Sequence, residues 1–194
     1  MSDSNAKSFW QNFQSSSADY ARRLLGGEVR ETFSDVDALL QAHGYDISFE
    51  LTVDNGVAVL ILSPEGDVEE AKRIDALAGL APKLRHWKVL SRKPRKNLSD
   101  AFVFIDHIYG VDCRDATFIL TRTVSNKDRI VMRTAAVEGF TDAEANGLAK
   151  TFLFHALGED MVMERFSEVI AAAPDSSATG EKGFSASELV ATIK

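Results

Sequence analysis

The residues of this sequence with the clearest chemical potential lie in one ten-residue stretch, 106–115, around its single cysteine. A thiol beside an imidazole can form an activated nucleophile, and carboxylates beside an imidazole can carry out acid–base steps. The candidates for such a hydrolase-like polar centre are Asp106, His107, Asp112 and Cys113. Negative charge from Asp112 and Asp115 raises the pKa of a thiol and so opposes the nucleophile. A small buried thiol is the alternative interpretation of Cys113.

No metal ion or cofactor is predicted. The histidines are scattered, and no two of them stand four residues apart: His43, His86, His107 and His155. The acids of residues 106–115 lack the regular spacing and the terminal glutamate of a calcium loop. A phosphate-binding glycine loop and a Gly-x-Ser-x-Gly elbow are both absent from the sequence. We expect His155 to lie in an apolar core, and the adjacent acids Glu159 and Asp160 to face water.

Positive charge is concentrated in residues 83–96, which contain seven cations and no acid. These cations are Lys83, Arg85, Lys88, Arg92, Lys93, Arg95 and Lys96. The whole chain carries a net charge of −7, so the remainder carries −14. Cations around Trp87 are typical of a site for nucleic acid or another polyanion, where phosphates pair with the cations and a base stacks on the indole. Protection of a sheet edge, or contact with an acidic protein partner or a second copy, explains the same residues.

The first 44 residues are predicted to form a helical section. Phe9, Trp10 and Phe13 recur at helical spacing and form an apolar stripe that needs cover. Gly26-Gly27 interrupts the first helix. A second helix is expected to begin after an N-cap at Ser34 and to end at Gly44.

Two later segments, residues 46–91 and 116–171, are candidates for a repeated strand–strand–helix–strand unit. In the first, alternation over residues 47–53 predicts a half-buried strand. Asn55-Gly56 then predicts a hairpin into a central strand that is apolar throughout, Val57–Leu62. Asp67 is placed to cap the following helix.

The second candidate unit has the same order of signals. Residues 118–121 and 129–137 predict its two strands, and Thr141 with Glu144 forms a capping box at the start of its helix. The segment between the two units is ambiguous, because the apolar run Ala101–Ile105 fits either a strand or a helix.

Together these elements predict an α+β fold with a helical N-terminal section and a mostly antiparallel sheet, in a single domain over residues 1–173. Residues 174–194 are predicted to be a linker and a short C-terminal helix, which a capping box at Ser185 begins. A helix this short must bury its apolar side on its own domain, on a second copy or on a partner. We expect a homodimer that uses this tail or a sheet edge.

Several short motifs occur in an order that resembles a family of soluble bacterial proteins of unknown function. They are Phe9-Trp10, the turn Ser63-Pro64-Glu65-Gly66, Ala81-Pro82 ahead of Trp87, and Leu157-Gly158-Glu159. The resemblance extends over residues 9–170 and implies a shared fold. It implies no activity, cofactor or catalytic residue.

The sequence therefore favours a non-catalytic bacterial protein that acts through protein–protein contacts. Its longest apolar run, Val57–Leu62, has six residues, whereas a membrane span needs roughly 18, and the N-terminus has no apolar signal core. A cytoplasmic location without membrane contact is expected. The alternatives are a hydrolase-like enzyme with its polar centre near Asp106, His107 and Asp112, and a polyanion binder that uses residues 83–96.

Overall fold

The chain divides into two compact units, residues 1–93 and 94–194, each with its own sheet and apolar core. The computed structural model describes residues 3–124, 126–174 and 183–193. Unit 1 contains α1 (Asp3–Leu25), α2 (Val29–Ala42), β1 (Ser48–Asp54), β2 (Val57–Ser63), α3 (Val68–Gly79) and β3 (Trp87–Leu90). Unit 2 contains α4 (Leu98–Tyr109), β4 (Thr117–Arg122), β5 (Asp128–Arg133), α5 (Asp142–Leu157), α6 (Glu159–Arg165), β6 (Phe166–Ala172), β7 (Phe184–Ser185) and α7 (Ala186–Thr192). A 3-10 turn at Ala135–Val137 follows β5. The predicted α+β class and helical N-terminal section are confirmed.

The sheet of unit 1 has the order β1-β2-β3, in which β2 pairs antiparallel with β1 and parallel with β3. The predicted hairpin is present, and both turn residues, Asn55 and Gly56, have positive φ as a tight two-residue turn requires. Every residue of β2 after Val57 is buried. This strand therefore occupies the centre of its sheet, as its uninterrupted apolar sequence predicts.

The aromatic residues of α1 form the centre of the unit 1 core. Phe9, Trp10 and Phe13 are buried, and the Trp10 indole N–H donates to the carbonyl of Leu77 in α3 at 2.7 Å. Phe13 also packs edge-on against Trp87 of β3, with 5.1 Å between the ring centroids. One short stretch of α1 thereby fixes both α3 and β3.

The predicted start of the second helix at Ser34 is wrong. Helix α2 begins at Val29, so Ser34 lies inside it and its hydroxyl donates to the carbonyl of Arg30 at 3.1 Å. The buried stripe of α2 consists of Thr32, Val36 and Leu40. The first turn lacks an apolar residue at its buried position, which is Thr32, and the threonine hydroxyl donates to the carbonyl of Glu28 at 2.7 Å.

The sheet of unit 2 has the order β6-β5-β4-β7, with β4 antiparallel to both β5 and β7 and β5 parallel to β6. Both sheets are therefore mixed. The ambiguous run Ala101–Ile105 lies in helix α4, which is capped by the Asn97 side chain and ends at Gly110 in the left-handed conformation. The capping box of Thr141 and Glu144 opens α5 as predicted.

A strand–strand–helix–strand order occurs in both units. In each of them an antiparallel hairpin is followed by helix, and the next strand lies parallel to the second strand of the hairpin. In unit 1 these elements are β1, β2, α3 and β3. In unit 2 they are β4, β5, the helices α5 and α6, and β6.

The C-terminal tail buries its apolar side on its own chain. Strand β7 pairs with Thr117 and Phe118 of β4, and Leu189 and Ile193 are buried in the unit 2 core. The capping box at Ser185 is formed as predicted. The predicted linker falls mostly on residues 175–182, which lie outside the described residues.

Replacing Trp10 tests the anchor of α1. Because its side chain is 2% exposed, Trp10→Ala should lower the free energy of unfolding by about 3–5 kcal/mol, through lost burial and the cavity left behind. Urea unfolding followed by circular dichroism measures this loss. The adjacent exposed residue provides the control, since Gln11→Ala should change the value by less than about 0.5 kcal/mol. A loss below about 1 kcal/mol for Trp10→Ala would contradict the anchoring role.

Candidate functional site

The structure places the four residues of the predicted hydrolase-like centre in different environments. Asp106 and His107 are exposed in the last turn of α4, whereas Cys113 is 1% exposed in the unit 2 core. The exposed Asp112 carboxylate accepts hydrogen bonds from the backbone N–H of Arg114 at 3.0 Å and from its guanidinium at 2.9 Å. Within the described part of the chain, no hydrogen bond joins any two of the four side chains. Among the described residues, the segment 106–115 thus contains no hydrogen-bonded thiol–imidazole or carboxylate–imidazole pair.

The Cys113 thiol is held in its neutral form. Burial raises its pKa to about 12, with smaller contributions from the charges of Asp112 and Asp115. The effect of the two acids was predicted from the sequence. Burial is the larger cause, and only the tertiary structure shows it.

The basic run of residues 83–96 belongs to two units, because the boundary falls between Lys93 and Pro94. On the unit 1 side, Lys93 is 6% exposed. Its ammonium donates a short hydrogen bond to Glu65 and lies 3.9 Å from a carboxylate oxygen of Glu50. The Arg92 guanidinium donates to Asp75 at 2.9 Å. Both cations therefore serve intramolecular ion pairs.

On the unit 2 side, the basic run packs against the junction of α5 and α6. The backbone N–H of Lys96 donates to the carbonyl of His155 at 2.7 Å, and its ammonium lies 4.7 Å above the Phe104 ring. A Cβ on Gly158 would lie 3.3 Å from the backbone nitrogen of Arg95, and Gly158 has φ +90°. The Arg95 guanidinium donates a long hydrogen bond, 3.5 Å, to the carbonyl of Val190. Contacts within the chain thus hold three of the seven cations, Arg92, Lys93 and Lys96, whereas the exposed Arg95 makes only this one long hydrogen bond.

The other three cations, Lys83, Arg85 and Lys88, face solvent in unit 1. Among the described residues, none of the three makes an ion pair or a side-chain hydrogen bond. They lie along and just before β3, which pairs only with β2 in that part of the chain. We call residues 83–90 the basic edge.

The backbone of the basic edge has a defined open side. The N–H of Ala58 donates to the carbonyl of His86 at 3.1 Å, so the backbone groups of His86 and Lys88 point towards β2. Because successive residues of a strand point their backbone groups to opposite sides, those of Trp87 and Val89 point away from the sheet. This open side can accept another strand.

The Trp87 side chain is not available for base stacking. It is 7% exposed, and its indole N–H donates to the carbonyl of Ser17 at 2.8 Å. The aromatic part of the predicted polyanion site is therefore part of the core.

The prediction that Glu159 faces water is wrong, because its side chain is fully buried. Gly158 serves both as the C-cap of α5 and the N-cap of α6. In the first turn of α6, Glu159 and Val162 are buried, whereas Asp160 is exposed, as predicted. His155 is buried, as predicted.

A polar cluster that the sequence did not predict joins α1 to the end of α2. The Nδ1 atom of His43 lies 2.8 Å from the carbonyl of Leu39 and therefore donates to it. Nε2 then accepts from the Ser8 hydroxyl at 3.3 Å and the Asn12 amide at 3.2 Å. Ser8 and Asn12 stand four residues apart on one helix face, a spacing visible in the sequence, but their histidine lies 31 residues beyond Asn12.

Comparisons with protein-family models, with curated proteins and with solved structures find no match for this chain. The family resemblance described above therefore rests on its short motifs alone.

None of the helices in the described ranges combines the length and the apolar character that crossing a membrane requires. In the same ranges, no group of three or more histidine, cysteine or acidic side chains is arranged to hold a metal ion.

The environment of Cys113 can be tested by its reactivity. A shift of the thiol pKa from 9.0 to about 12 lowers the thiolate fraction at pH 8 about a thousandfold. Reaction with a disulfide reagent should therefore be at least about a thousandfold slower in the native protein than in urea. The control is a Cys113→Ser/Ser99→Cys protein, whose thiol lies on the exposed face of α4. A native Cys113 that reacts as fast as this control contradicts the burial.

The same shift predicts a pH effect on stability. The folded pKa lies above the unfolded one, so the neutral thiol contributes stability below about pH 9 that is lost as the pH rises towards about 12. The free energy of unfolding of the wild type should therefore fall relative to that of Cys113→Ser as the pH rises from about 9 to about 12.

Proposed function

We propose that this chain is a non-catalytic protein that acts through protein–protein contacts made at the basic edge of unit 1. The observation that supports this most directly is the combination of an open strand side with three cations, Lys83, Arg85 and Lys88, that serve no internal ion pair among the described residues. The neighbouring Arg92 and Lys93 are held in internal ion pairs and the Lys96 ammonium lies over the Phe104 ring, so the pattern distinguishes structural cations from those available to a partner.

An added strand supplies backbone hydrogen bonds, and charges beside it supply selectivity and speed of association. The basic edge offers both within eight residues. The backbone groups of Trp87 and Val89 are open, while the adjacent cations favour an acidic partner. The buried Trp87 ring anchors this strand to the core, so the strand is already formed before a partner binds.

A polyanion is the second candidate partner, because the three cations that have no internal partner among the described residues could pair with phosphates. Two observations weigh against it: the stacking residue Trp87 is buried, and the chain carries a net charge of −7. The protein-contact proposal needs neither an exposed aromatic nor a positive net charge.

Site-specific photo-crosslinking tests the proposed surface. A photoreactive residue at exposed His86 should capture protein in cells that make this chain, because that side chain lies within the basic edge. The control position is Lys72 on α3, whose side chain is 66% exposed. The His86 adduct should be lost when Arg85→Glu and Lys88→Glu are added. An adduct no stronger than that from Lys72, or one unaffected by the charge reversal, overturns the proposal.

The salt dependence of oligonucleotide binding separates the two candidates. Three available cations limit the slope of log K against log salt to about −2 to −3, since each phosphate contact contributes about −0.7 to −0.9. We expect weak binding that is negligible at physiological salt. Submicromolar binding under those conditions, abolished by Lys88→Glu but not by Lys72→Glu, would favour the polyanion.

A further inference from the structure

We infer that the partner of the basic edge is the opposite edge of the same sheet, β1, in a second copy of this chain. This inference rests on the proposed function and names its partner. Strand β1 pairs only with β2 among the described residues, so its outer side is open as well. The sheet of unit 1 therefore has two open edges.

The two edges carry opposite charges. Residues 46–56 contain Asp46, Glu50 and Asp54 and no cation, and we call them the acidic edge. Asp46 and Asp54 are exposed, whereas Glu50 lies near Lys93. The basic edge contains three cations and no acid. The basic edge of one copy is thus complementary in charge to the acidic edge of another.

The register places the decisive charges on one face of the sheet. Thr52 pairs with Val59, and Val59 pairs with Lys88, so these three side chains share a face. Alternation along β1 puts Asp54 on the same face as Thr52. If β1 of a second copy pairs with β3 so that the two sheets form one continuous sheet, Lys88 of one copy and Asp54 of the other lie on the same face of that sheet.

The strand directions allow this continuation. Strand β1 is antiparallel to β2, and β3 is parallel to β2, so β1 of a second copy runs antiparallel to β3. Strands in that relation exchange hydrogen bonds through the open backbone groups of Trp87 and Val89.

A symmetric pairing of like edges is disfavoured by charge. Two basic edges would bring six cations together, and two acidic edges would bring their acids together, which costs free energy in cross-strand pairs. The favoured contact is head to tail, and such a contact extends into a ring or an open chain instead of stopping at a symmetric dimer.

Sedimentation of the full-length protein tests the inference. At about 20 mM salt, where screening is weak, the wild type should form particles larger than a dimer over about 1–100 µM. Raising the salt to about 500 mM should weaken this association at least about tenfold. A wild type that is monomeric throughout, or one that stops at a dimer, overturns the inference.

Charge reversal with mixing supplies a sharper test. The basic-edge variant, Arg85→Glu/Lys88→Glu, and the acidic-edge variant, Asp46→Lys/Asp54→Lys, should each be monomeric alone. Mixed in equal amounts they should associate again, since every contact is then between opposite charges. Lys72→Glu is the matched control and should leave association unchanged. Self-association that survives both reversals, or a mixture that fails to associate, contradicts the pairing.

A backbone test separates strand pairing from simple charge attraction. Val89→Pro removes an N–H that points away from the sheet, which an edge strand tolerates. Association should be lost although every charge remains. Because the Val89 side chain packs against the unit 1 core, the urea midpoint is expected to fall, and a single cooperative transition shows that the fold is intact. Association that persists in this folded variant contradicts strand pairing.

Crosslinking then distinguishes failure of this inference from failure of the proposed function. Adducts from His86 that map to residues 46–56 of a second copy support both. Adducts on a different protein overturn the inference and leave the proposed function standing, and no adduct at all overturns both.

Discussion

The aromatic anchor of α1 is the contact on which the rest of unit 1 depends. Trp10 ties α1 to α3 through the carbonyl of Leu77, and Phe13 meets the Trp87 ring of β3. The Trp87 indole in turn donates to the carbonyl of Ser17. With Trp87 fixed facing the core, the alternation of a strand directs Lys88 to the other face and turns the backbone of Val89 outward. The orientation of the basic edge is therefore set by apolar packing.

Whether a cation in residues 83–96 forms an internal ion pair depends on the side chains that surround it. Lys93 and Arg92 lie close to the carboxylates of Glu65 and Asp75, and a buried charge is retained only with such a partner. Lys83, Arg85 and Lys88 are exposed and have no internal partner among the described residues, which costs little because water can solvate them. One uniform run in the sequence thus contains cations of two kinds.

The edge strands of the two sheets differ in how far other parts of the chain cover them. In unit 2, β7 covers the start of β4, and the Asn146 side chain accepts the N–H of Ala171 at the outer strand β6, at 2.8 Å. The close approach of Gly183 to Thr117, 3.2 Å from an ideal Cβ, lets the tail reach that edge. In unit 1, both outer strands are open in the described residues and carry charge instead. Charge alone prevents pairing with a like edge while permitting pairing with an opposite one.

The sequence by itself determined the features that depend on neighbours along the chain. The Asn55-Gly56 hairpin, the caps at Asp67, Thr141 and Ser185, and the central position of β2 could all be predicted, because turns, caps and strand periodicity are local. Local signals also misplaced the start of α2 at Ser34. The helix begins at Val29, and the buried residue of its first turn is Thr32, which an apolar periodicity does not identify as buried.

Only the tertiary structure decided which residues meet. The four candidates are close in sequence, but Asp106 and His107 lie on the surface of α4, Asp112 in the exposed loop after it and Cys113 in the core. Ser8 finds its partner at His43, 35 residues away. Whether Glu159 is buried, and which cations are already paired, likewise depends on contacts between distant segments. Local propensity contains no information about such contacts, because they arise when helices and sheets bury their apolar faces against one another.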